Sequence, residues 1–201
     1  THQQGHVAAA LYGADRRELI GRRFLAFHVS GGTTDALLVE PEEEAPLRCR
    51  VVGHSLDLKA GQLVDRIGGL LGLPFPAGPE LDKLAQRAEG CYDPRPVLRG
   101  CDCHLSGVEN QCRAMREKGA PPEEVAAFCL RSILAAVAGM TVALQREYGP
   151  LPLIYAGGVM SNSLLRRELT ARFDGAFASP AFSADNAAGI AFLCALTDGA
   201  L

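Results

Sequence analysis

The apolar and polar positions in the first quarter of the chain predict a β-hairpin. The apolar run 24–29 is rich in residues that favour strands, and a second apolar run, 36–40, follows closely. Between them lies Ser30-Gly31-Gly32-Thr33-Thr34, and two such runs around a glycine-rich turn are typical of a hairpin. A further strand is predicted at 50–53.

Apolar residues at helical spacing predict helices in the rest of the chain. The longest begins at Pro121-Pro122-Glu123-Glu124, with acids in its first turn, and ends near Gly149. A buried-type strand at 153–156 follows and runs into Gly157. Further helices are predicted at 1–20, at 82–88, from about 162 and at 186–196. One more predicted helix carries both Asp57 and Asp65.

The order of these elements predicts the fold class. Strand pairs come first and strand–helix alternation follows, which indicates an α/β fold with a mixed sheet. Residues 91–112, with four cysteines and two prolines, have no clear pattern.

Composition narrows the class of protein. The 201 residues are 48% hydrophobic and 21% charged, close to an ordinary soluble domain. A formal net charge of −3 argues against a global basic field for nucleic acid, and leaves a small basic group at 16, 17, 22 and 23. No uninterrupted apolar run approaches the ~20 residues of a membrane span, so no membrane is expected. The opening threonine suggests that the chain begins inside a longer protein.

The number and spacing of the cysteines indicate the redox state of the cellular compartment. Seven cysteines at irregular spacing favour reduced thiols in a cytoplasmic setting over a disulfide framework. Cys101, Cys103, His104 and Cys112 lack the spacing of a usual zinc site, and we interpret them as buried residues in preference to metal ligands.

Two glycine-containing segments are candidate binding loops. In 30–34 the glycines let backbone N–H groups approach an anion and three hydroxyls add donors, although a plain hairpin turn explains the segment equally well. The segment 157–162 joins a buried strand to a helix N-terminus, a usual place for nucleotides. Its Asn162 is suited to bind a ligand, or Ser161 or Asn162 caps the helix, and the two roles are compatible.

Acidic residues and histidines supply further candidates. Asp57 and Asp65 would lie within about 80° of each other around the predicted helix. They are either a pair that binds ribose hydroxyls or solvated helix acids. His2 and His6 point the same way on a helix, as two ligands of one metal or as a surface pair. With Asp185 as the carboxylate, such a set suits iron(II) or zinc.

One activity is not expected. A zinc-peptidase helix carries a glutamate general base directly after its first histidine. Gln3 stands there in this chain and cannot accept a proton, so we do not expect a peptidase of this type.

Taken in order, these motifs resemble the TsaD family, formerly described as O-sialoglycoprotein endopeptidase or glycoprotease M22, over the whole chain. The family's His-x-x-Gly-His is similar to 2–6, and its Val-Ser-Gly-Gly-His-Thr is similar to 29–34. Its Asp-Asp-Ala-Ala-Gly-Glu-Ala-Phe-Asp-Lys is similar to 57–66, and its Leu-Leu-Gly-Leu-x-x-Pro-Gly-Gly-Pro is similar to 70–79. Later in the chain, its Ser-Gly is similar to 106–107, its Ala-Gly-Gly-Val-x-x-Asn to 156–162 and its Thr-Asp-Asn-Ala-Ala-x-Ile-Ala to 184–191.

The resemblance implies an actin-like ATPase (ribonuclease H-like) fold and a metal-dependent transferase. One Fe²⁺ or Zn²⁺ per chain would be held by His2, His6 and Asp185. The implied adenylate-binding residues lie in the hairpin loop, in the acidic segment and before a later helix: Val29, Ser30, Gly31, Gly32, Thr33, Asp65, Gly78, Asp82 and Asn162.

The family transfers a threonylcarbamoyl group from threonylcarbamoyl-AMP to N6 of adenosine 37 in tRNA. The resemblance therefore implies tRNA, TsaB-like and TsaE-like proteins as partners and a cytoplasmic location. It also implies three parts of the chain. Residues 1–20 form a metal-bearing helix linking to an absent first lobe, 21–180 form the second lobe, and 181–201 carry the third metal ligand.

The chain departs from the family at four positions. Thr33 replaces the loop histidine, Gln4 a glutamate of the metal motif, Leu58 an aspartate and Gln62 a helix glutamate. These losses keep open an inactive paralogue that binds adenine nucleotide or a partner protein. The bacterial partner TsaB is a precedent for an inactive relative of similar fold. A small-molecule kinase of the same superfamily is a third possibility. The histidine pair argues against it, because such kinases hold Mg²⁺ mostly through phosphate and carboxylate.

Overall fold

The computed structural model describes residues 2–42, 45–179 and 187–197, and within them a mixed sheet lies between two helical layers. The strands are β1 (Phe24–Val29), β2 (Thr34–Glu42), β3 (Ala45–His54), β4 (Val97–Arg99), β5 (Asp102–His104), β6 (Leu153–Ala156) and β7 (Ala176–Phe177). The helices are α1 (His2–Gly13), α2 (Ala60–Leu70), α3 (Gly78–Ala85), α4 (Ser106–Glu117), α5 (Pro122–Tyr148), α6 (Ser163–Phe173) and α7 (Ala187–Thr197).

The main sheet has the order β3-β2-β1-β6-β7. β1 runs antiparallel to β2, and β2 antiparallel to β3, so the predicted hairpin and third strand are confirmed. β6 and β7 add in parallel on the other side of β1. The carboxyl ends of β1 and β6 therefore meet at the same edge of the sheet, which is where ligands bind in open α/β sheets.

Alternation along β1 separates two hydrophobic cores. Leu25, Phe27 and Val29 belong to the core beneath α2 and α5, whereas Phe24 and Ala26 belong to the core beneath α1. Successive side chains of a strand point to opposite faces, so the nearly continuous apolar run is explained by burial on both sides.

The longest helix, α5, spans the first of these cores. Its bounds match the predicted helix, and Val125, Ile133 and Met140 are buried along it. α5 is long and apolar enough to cross a membrane by length and composition, although most of it is buried here. The sequence was expected to contain no membrane span because it has no uninterrupted apolar run of sufficient length. The apolar run of α5 is interrupted by Arg131.

Several predicted boundaries are wrong. The first helix ends at Gly13, and 17–19 form a separate short 3₁₀ turn. α2 begins at Ala60, so Asp57 precedes the helix that carries Asp65. α3 begins at Gly78 instead of residue 82, with Pro79 in the first turn, where a missing N–H is tolerated.

Residues 91–112, which had no clear pattern, form a small β4–β5 hairpin and most of α4. Cys103 of this hairpin is fully buried, and its desolvation raises the pKa of the thiol to about 11. Cys112 on α4 is also fully buried. The interpretation as buried residues is thus confirmed for these two, whereas Cys101 and His104 are partly exposed.

Candidate functional site

An open cleft gathers several of the predicted binding residues. It has a volume of about 530 Å³ and lies between the β1–β2 loop, α2, α3 and the start of α6. The predicted residues in its lining are Gly31, Asp65, Gly78, Asp82 and Asn162. The predicted residues Val29, Ser30, Gly32 and Thr33 lie on either side of Gly31 and are not part of the lining.

The β1–β2 loop is a closed turn whose glycines face outward. Ser30 N donates to Thr33 O at 2.8 Å, while Gly31 and Gly32 are exposed. The hydroxyl of Thr34 accepts a hydrogen bond from Ala60 N at 2.8 Å. The loop is therefore tied to the N-terminus of α2, and it serves both as a hairpin turn and as a wall of the cleft.

Gly61 lets α2 lie directly against this loop. Its N–H donates to Ser30 O at 3.1 Å, and a Cβ at Gly61 would lie 2.5 Å from both Gly31 N and Ser30 O. No side chain fits at that distance from backbone atoms. The sequence groups Gly61 with Asp57 and Asp65 as candidate residues, although Gly61 is not among the adenylate-binding residues that the resemblance implies.

Gly157 makes a similar contact on the other side of the cleft. Its φ is 99°, and a Cβ would lie 2.2 Å from Val29 O. Both the left-handed backbone and the close approach require glycine. The segment after Gly157 is thereby held at the end of β1, where it turns into α6.

Asn162 caps α6 and also lines the cleft. Its Oδ1 accepts a hydrogen bond from Leu165 N at 3.1 Å, which satisfies one of the unpaired N–H groups of the first turn. The side chain is largely buried. The capping role is therefore confirmed, and the position at the cleft wall is compatible with ligand binding.

Asp65 and Asp82 face the cleft from α2 and α3. Asp65 Oδ1 accepts from Ala77 N at 3.0 Å, and its second oxygen has no hydrogen-bond partner in the described ranges. Asp82 accepts from Ser163 N at 2.9 Å and from Ser163 Oγ at 2.8 Å. Asp65 therefore retains an acceptor for a ligand, whereas Asp82 also fixes the N-terminus of α6.

Asp57 lies outside the cleft, so it does not pair with Asp65 there. Its carboxylate accepts from Leu58 N at 2.6 Å, Leu105 N at 2.8 Å and Ser106 Oγ at 2.6 Å. Burial opposes its ionisation, but hydrogen bonds from Leu105, Ser106 and Leu58 outweigh burial and hold its pKa well below the usual range. Asp57 therefore joins the start of α2 to the start of α4.

His6, one of the predicted metal residues, lies on α1, on the opposite side of the sheet from the cleft. The ring of His6 lies 4.4 Å, centroid to centroid, from the ring of His28 on β1. The side chain of His2 and all of Asp185 fall outside the described residues. Within the part of the chain that is described, no three histidine, cysteine or acidic side chains are grouped closely enough to hold a metal. His28 is not among the predicted metal residues, and the sequence marks it only as a histidine within an apolar strand.

α7 approaches α1 close to this histidine pair. A Cβ at Gly189 would lie 1.8 Å from Gly5 O, so two helix backbones are in direct contact next to His6. α7 begins at Ala187, two residues after Asp185 in the sequence.

Comparison with known proteins identifies the family. The model of the family described as TsaD, tRNA N6-adenosine threonylcarbamoyltransferase, matches residues 1–192. The chain belongs to the TsaD family. TsaD relatives named tRNA N6-adenosine threonylcarbamoyltransferase are 36% identical in Syntrophotalea carbinolica and 35% identical in Thermus thermophilus. The matches cover 93% and 94% of this chain and 57% of each relative, so the chain spans about half the length of the curated relatives it matches.

Solved structures support the fold class. Full-length HypF in a phosphate- and nucleotide-bound form matches with a TM-score of 0.71 at 13% identity, over 89% of this chain and 39% of HypF. Component A of (R)-2-hydroxyglutaryl-CoA dehydratase from Acidaminococcus fermentans matches with a TM-score of 0.58 at 17% identity, over 98% of this chain and 69% of that protein. At such identities only the fold is shared, and the predicted α/β, actin-like ATPase fold of this TsaD-family chain is confirmed.

Proposed function

We propose that this protein transfers a threonylcarbamoyl group from threonylcarbamoyl-AMP to N6 of adenosine 37 in tRNA. The observation that carries the proposal is the cleft at the carboxyl ends of β1 and β6 in a TsaD-family chain. It gathers Gly31, Asp65, Asp82 and Asn162, which are distant in sequence.

The adenylate is assigned to this cleft on chemical grounds. Exposed Gly31 lines the cleft and has no Cβ, so a phosphate can approach the backbone of this loop closely. Asp65 offers a carboxylate oxygen to a ribose hydroxyl. Val64 and Val159 provide apolar wall against which a flat base can pack.

The reaction then needs no covalent enzyme intermediate. N6 of the adenosine attacks the carbamoyl carbonyl carbon, the bond from that carbon to the phosphate oxygen breaks, AMP leaves, and N6 releases a proton. The protein contributes by holding the two substrates in line and by stabilising charge on the departing phosphate. The loop around Gly31 is the part of the cleft suited to the second task.

His2, His6 and Asp185 would hold one Fe²⁺ or Zn²⁺. The imidazole of His6 next to that of His28 fits such a metal, because neutral imidazoles suit both ions. When bound, the metal would supply a Lewis acid for a carbonyl or phosphate oxygen. The assignment is supported by the contact of Gly189 on α7 with Gly5 on α1, which lies next to His6.

The organisation of the whole protein is part of the proposal. Residues 1–20 would link to a first lobe, 21–180 would form the second lobe, and 181–201 would carry the third metal ligand. TsaB-like and TsaE-like proteins would be partners in the cytoplasm. The substitutions at Thr33, Gln4, Leu58 and Gln62 would be tolerated, and the match over residues 1–192 does not favour an inactive paralogue.

The deciding experiment is complementation. The complete coding region is expressed in cells depleted of their own TsaD, and threonylcarbamoyladenosine is quantified in digested tRNA by mass spectrometry. We expect the nucleoside to be restored by the wild type and not by Asp65→Ala. Failure of a soluble, metal-loaded wild type, with TsaB-like and TsaE-like proteins from the same source co-expressed, would reject the transferase and favour a nucleotide-binding paralogue.

A further inference from the structure

A second hollow lies beside the cleft, and we call it the arginine hollow. It has a volume of about 560 Å³ between α3, α5 and the start of α6. It shares Asp82 with the cleft, and Ser163 follows directly after the cleft residue Asn162. Its positively charged lining residues are Arg131 and Arg167.

Arg131 is half-buried and has no counter-ion among the described residues. It lies on α5 directly after Leu130, which lines the cleft. Its guanidinium makes no hydrogen bond or ion pair with the parts of the chain that the structure describes. A partly desolvated charge is stabilised by an opposite charge, so an anionic ligand would find a donor here.

Arg167 reaches the hollow from α6. Its ion pair among the described residues is with its neighbour Glu168, at 3.3 Å, and Glu168 also contacts Arg172. Arg167 is 68% exposed in that pair, and such surface contacts contribute little free energy. Arg167 can therefore turn towards a ligand at small cost.

The nearby carboxylates are already engaged. Asp82 accepts two hydrogen bonds from Ser163. Glu124 accepts from Gly90 N at 3.1 Å and from Tyr92 Oη at 2.7 Å, and the Tyr92 hydrogen bond is the largest cause that lowers the pKa of Glu124. Neither acid is paired with the two arginines, which leaves the guanidinium groups as the donors of the hollow.

We propose that the arginine hollow binds a backbone phosphate of the RNA strand whose adenosine meets the adenylate at the mouth of the cleft. This inference rests on the proposed transferase function. A nucleotide within RNA carries a phosphate on each side of its ribose, so an adenosine whose N6 reaches the adenylate brings phosphate to the rim that the cleft and the arginine hollow share. Planar guanidinium groups bind phosphate oxygens in pairs, and such contacts set the register of a nucleic acid.

The test is RNA binding by the complete protein, measured by fluorescence anisotropy with a labelled tRNA anticodon stem–loop at several salt concentrations. Arg131→Gln and Arg167→Gln are compared with Arg146→Gln, which removes the same charge from an exposed position on α5 in a different groove. We expect each hollow variant to bind about fivefold more weakly, with the salt slope reduced by roughly 0.7–0.9. Arg146→Gln and binding of AMP should be unchanged.

Other outcomes would overturn the inference. Unchanged RNA affinity in both hollow variants would show that RNA does not bind at the arginine hollow. Equal losses of RNA affinity in these two variants and in Arg146→Gln would indicate general charge attraction. A parallel loss of AMP binding would assign the hollow to the adenylate. A variant that unfolds, by circular dichroism, is replaced by Arg131→Lys, which keeps the charge but loses the paired geometry; it should bind more weakly than wild type.

The same measurements separate this inference from the proposed function. If the wild type fails to restore threonylcarbamoyladenosine but RNA binding still depends on Arg131 and Arg167, the transferase proposal fails and the phosphate site stands. If the wild type restores threonylcarbamoyladenosine but both variants bind RNA as the wild type does, the transferase proposal stands and the phosphate site fails. A wild type that binds no stem–loop overturns the phosphate site directly.

Discussion

Three aspartates that are similar in sequence context have different surroundings in the fold. Asp57 accepts hydrogen bonds from residues at the starts of α2 and α4 and lies outside the cleft. Asp65 accepts from one backbone donor at the cleft wall, and its second oxygen has no partner among the described residues. Asp82 is shared between the cleft and the arginine hollow. The role of each carboxylate is decided by the donors around it.

Asp57 should make stability depend on pH. Its folded pKa is lowered below the unfolded value of ~4, so its contribution is present at neutral pH and is lost as pH falls below ~4 towards the folded pKa. We expect Asp57→Asn to lose about 1–2 kcal/mol at pH 7 and clearly less at pH 3. Urea unfolding at both pH values measures this, with Asp93→Asn, an exposed loop acid, as the control. An equal loss at both pH values would contradict a role for the charge.

Asp65 should contribute to adenylate binding. Asp65→Asn keeps the oxygen that accepts from Ala77 N but removes the charge from the cleft wall. We expect AMP to bind about tenfold more weakly, because a hydrogen bond to a charged acceptor is worth ~1.5–3 kcal/mol. Isothermal titration calorimetry on the variant and on Asp93→Asn checks this. If both variants bind as the wild type does, Asp65 has only its structural contact with Ala77.

At the scale of elements, the cleft depends on close backbone contacts made by glycines. Gly61 on α2 contacts the β1–β2 loop, and Gly157 contacts the end of β1. The start of α2 is also set from outside the helix, because the N-terminal Ala60 N donates to Thr34 Oγ1 on β2. These contacts fix the positions of three elements that the cleft lies between.

Gly61→Ala should therefore displace the loop from α2. A Cβ 2.5 Å from backbone atoms forces a shift, and such overpacking costs about 1–3 kcal/mol. We expect lower stability together with weaker AMP binding. Gly69→Ala is the matched control, because Gly69 lies on the same helix with open space around it, and alanine there should stabilise by roughly 0.5–1 kcal/mol. Thermal unfolding and AMP titration of both variants provide the test; unchanged AMP affinity in Gly61→Ala would contradict it.

At the scale of the whole molecule, the two faces of the sheet carry different candidate chemistry. The cleft lies by the ends of α2, α3 and α6, whereas His6 and His28 lie on the α1 face. α7 contacts α1 at Gly189 and Gly5, which are far apart in sequence. The proposed metal ligands would therefore depend on this helix–helix contact as well as on their own identity.

Gly189→Ala should reduce metal binding without removing a ligand. The added Cβ would lie 1.8 Å from Gly5 O, so α7 must move away from α1. We expect less than half of the wild-type metal per chain by mass spectrometry, with a loss of about 1–3 kcal/mol in stability. Ile190→Ala, at the exposed next position, should retain the metal. Full metal occupancy in Gly189→Ala would mean that the site does not depend on this contact.

The amino-acid sequence by itself determined the elements and the family. Periodic apolar positions predicted the β1–β2 hairpin and α5, because burial of one face or stripe leaves a regular pattern. The motif order identified the family, and the loop, acidic and amide segments that it pointed to include the cleft residues Gly31, Asp65 and Asn162.

Only the tertiary structure decided which polar groups meet. Sequence placed Asp57 on the helix of Asp65, whereas α2 begins at Ala60 because its first N–H is satisfied by Thr34 from another strand. The fold also brings His6 into ring contact with His28, which is distant in sequence. It leaves Arg131 without a partner among the described residues. The local pattern of apolar positions indicates which residues are buried. The hydrogen-bond and ion-pair partners of a residue depend on which elements the packed core brings together.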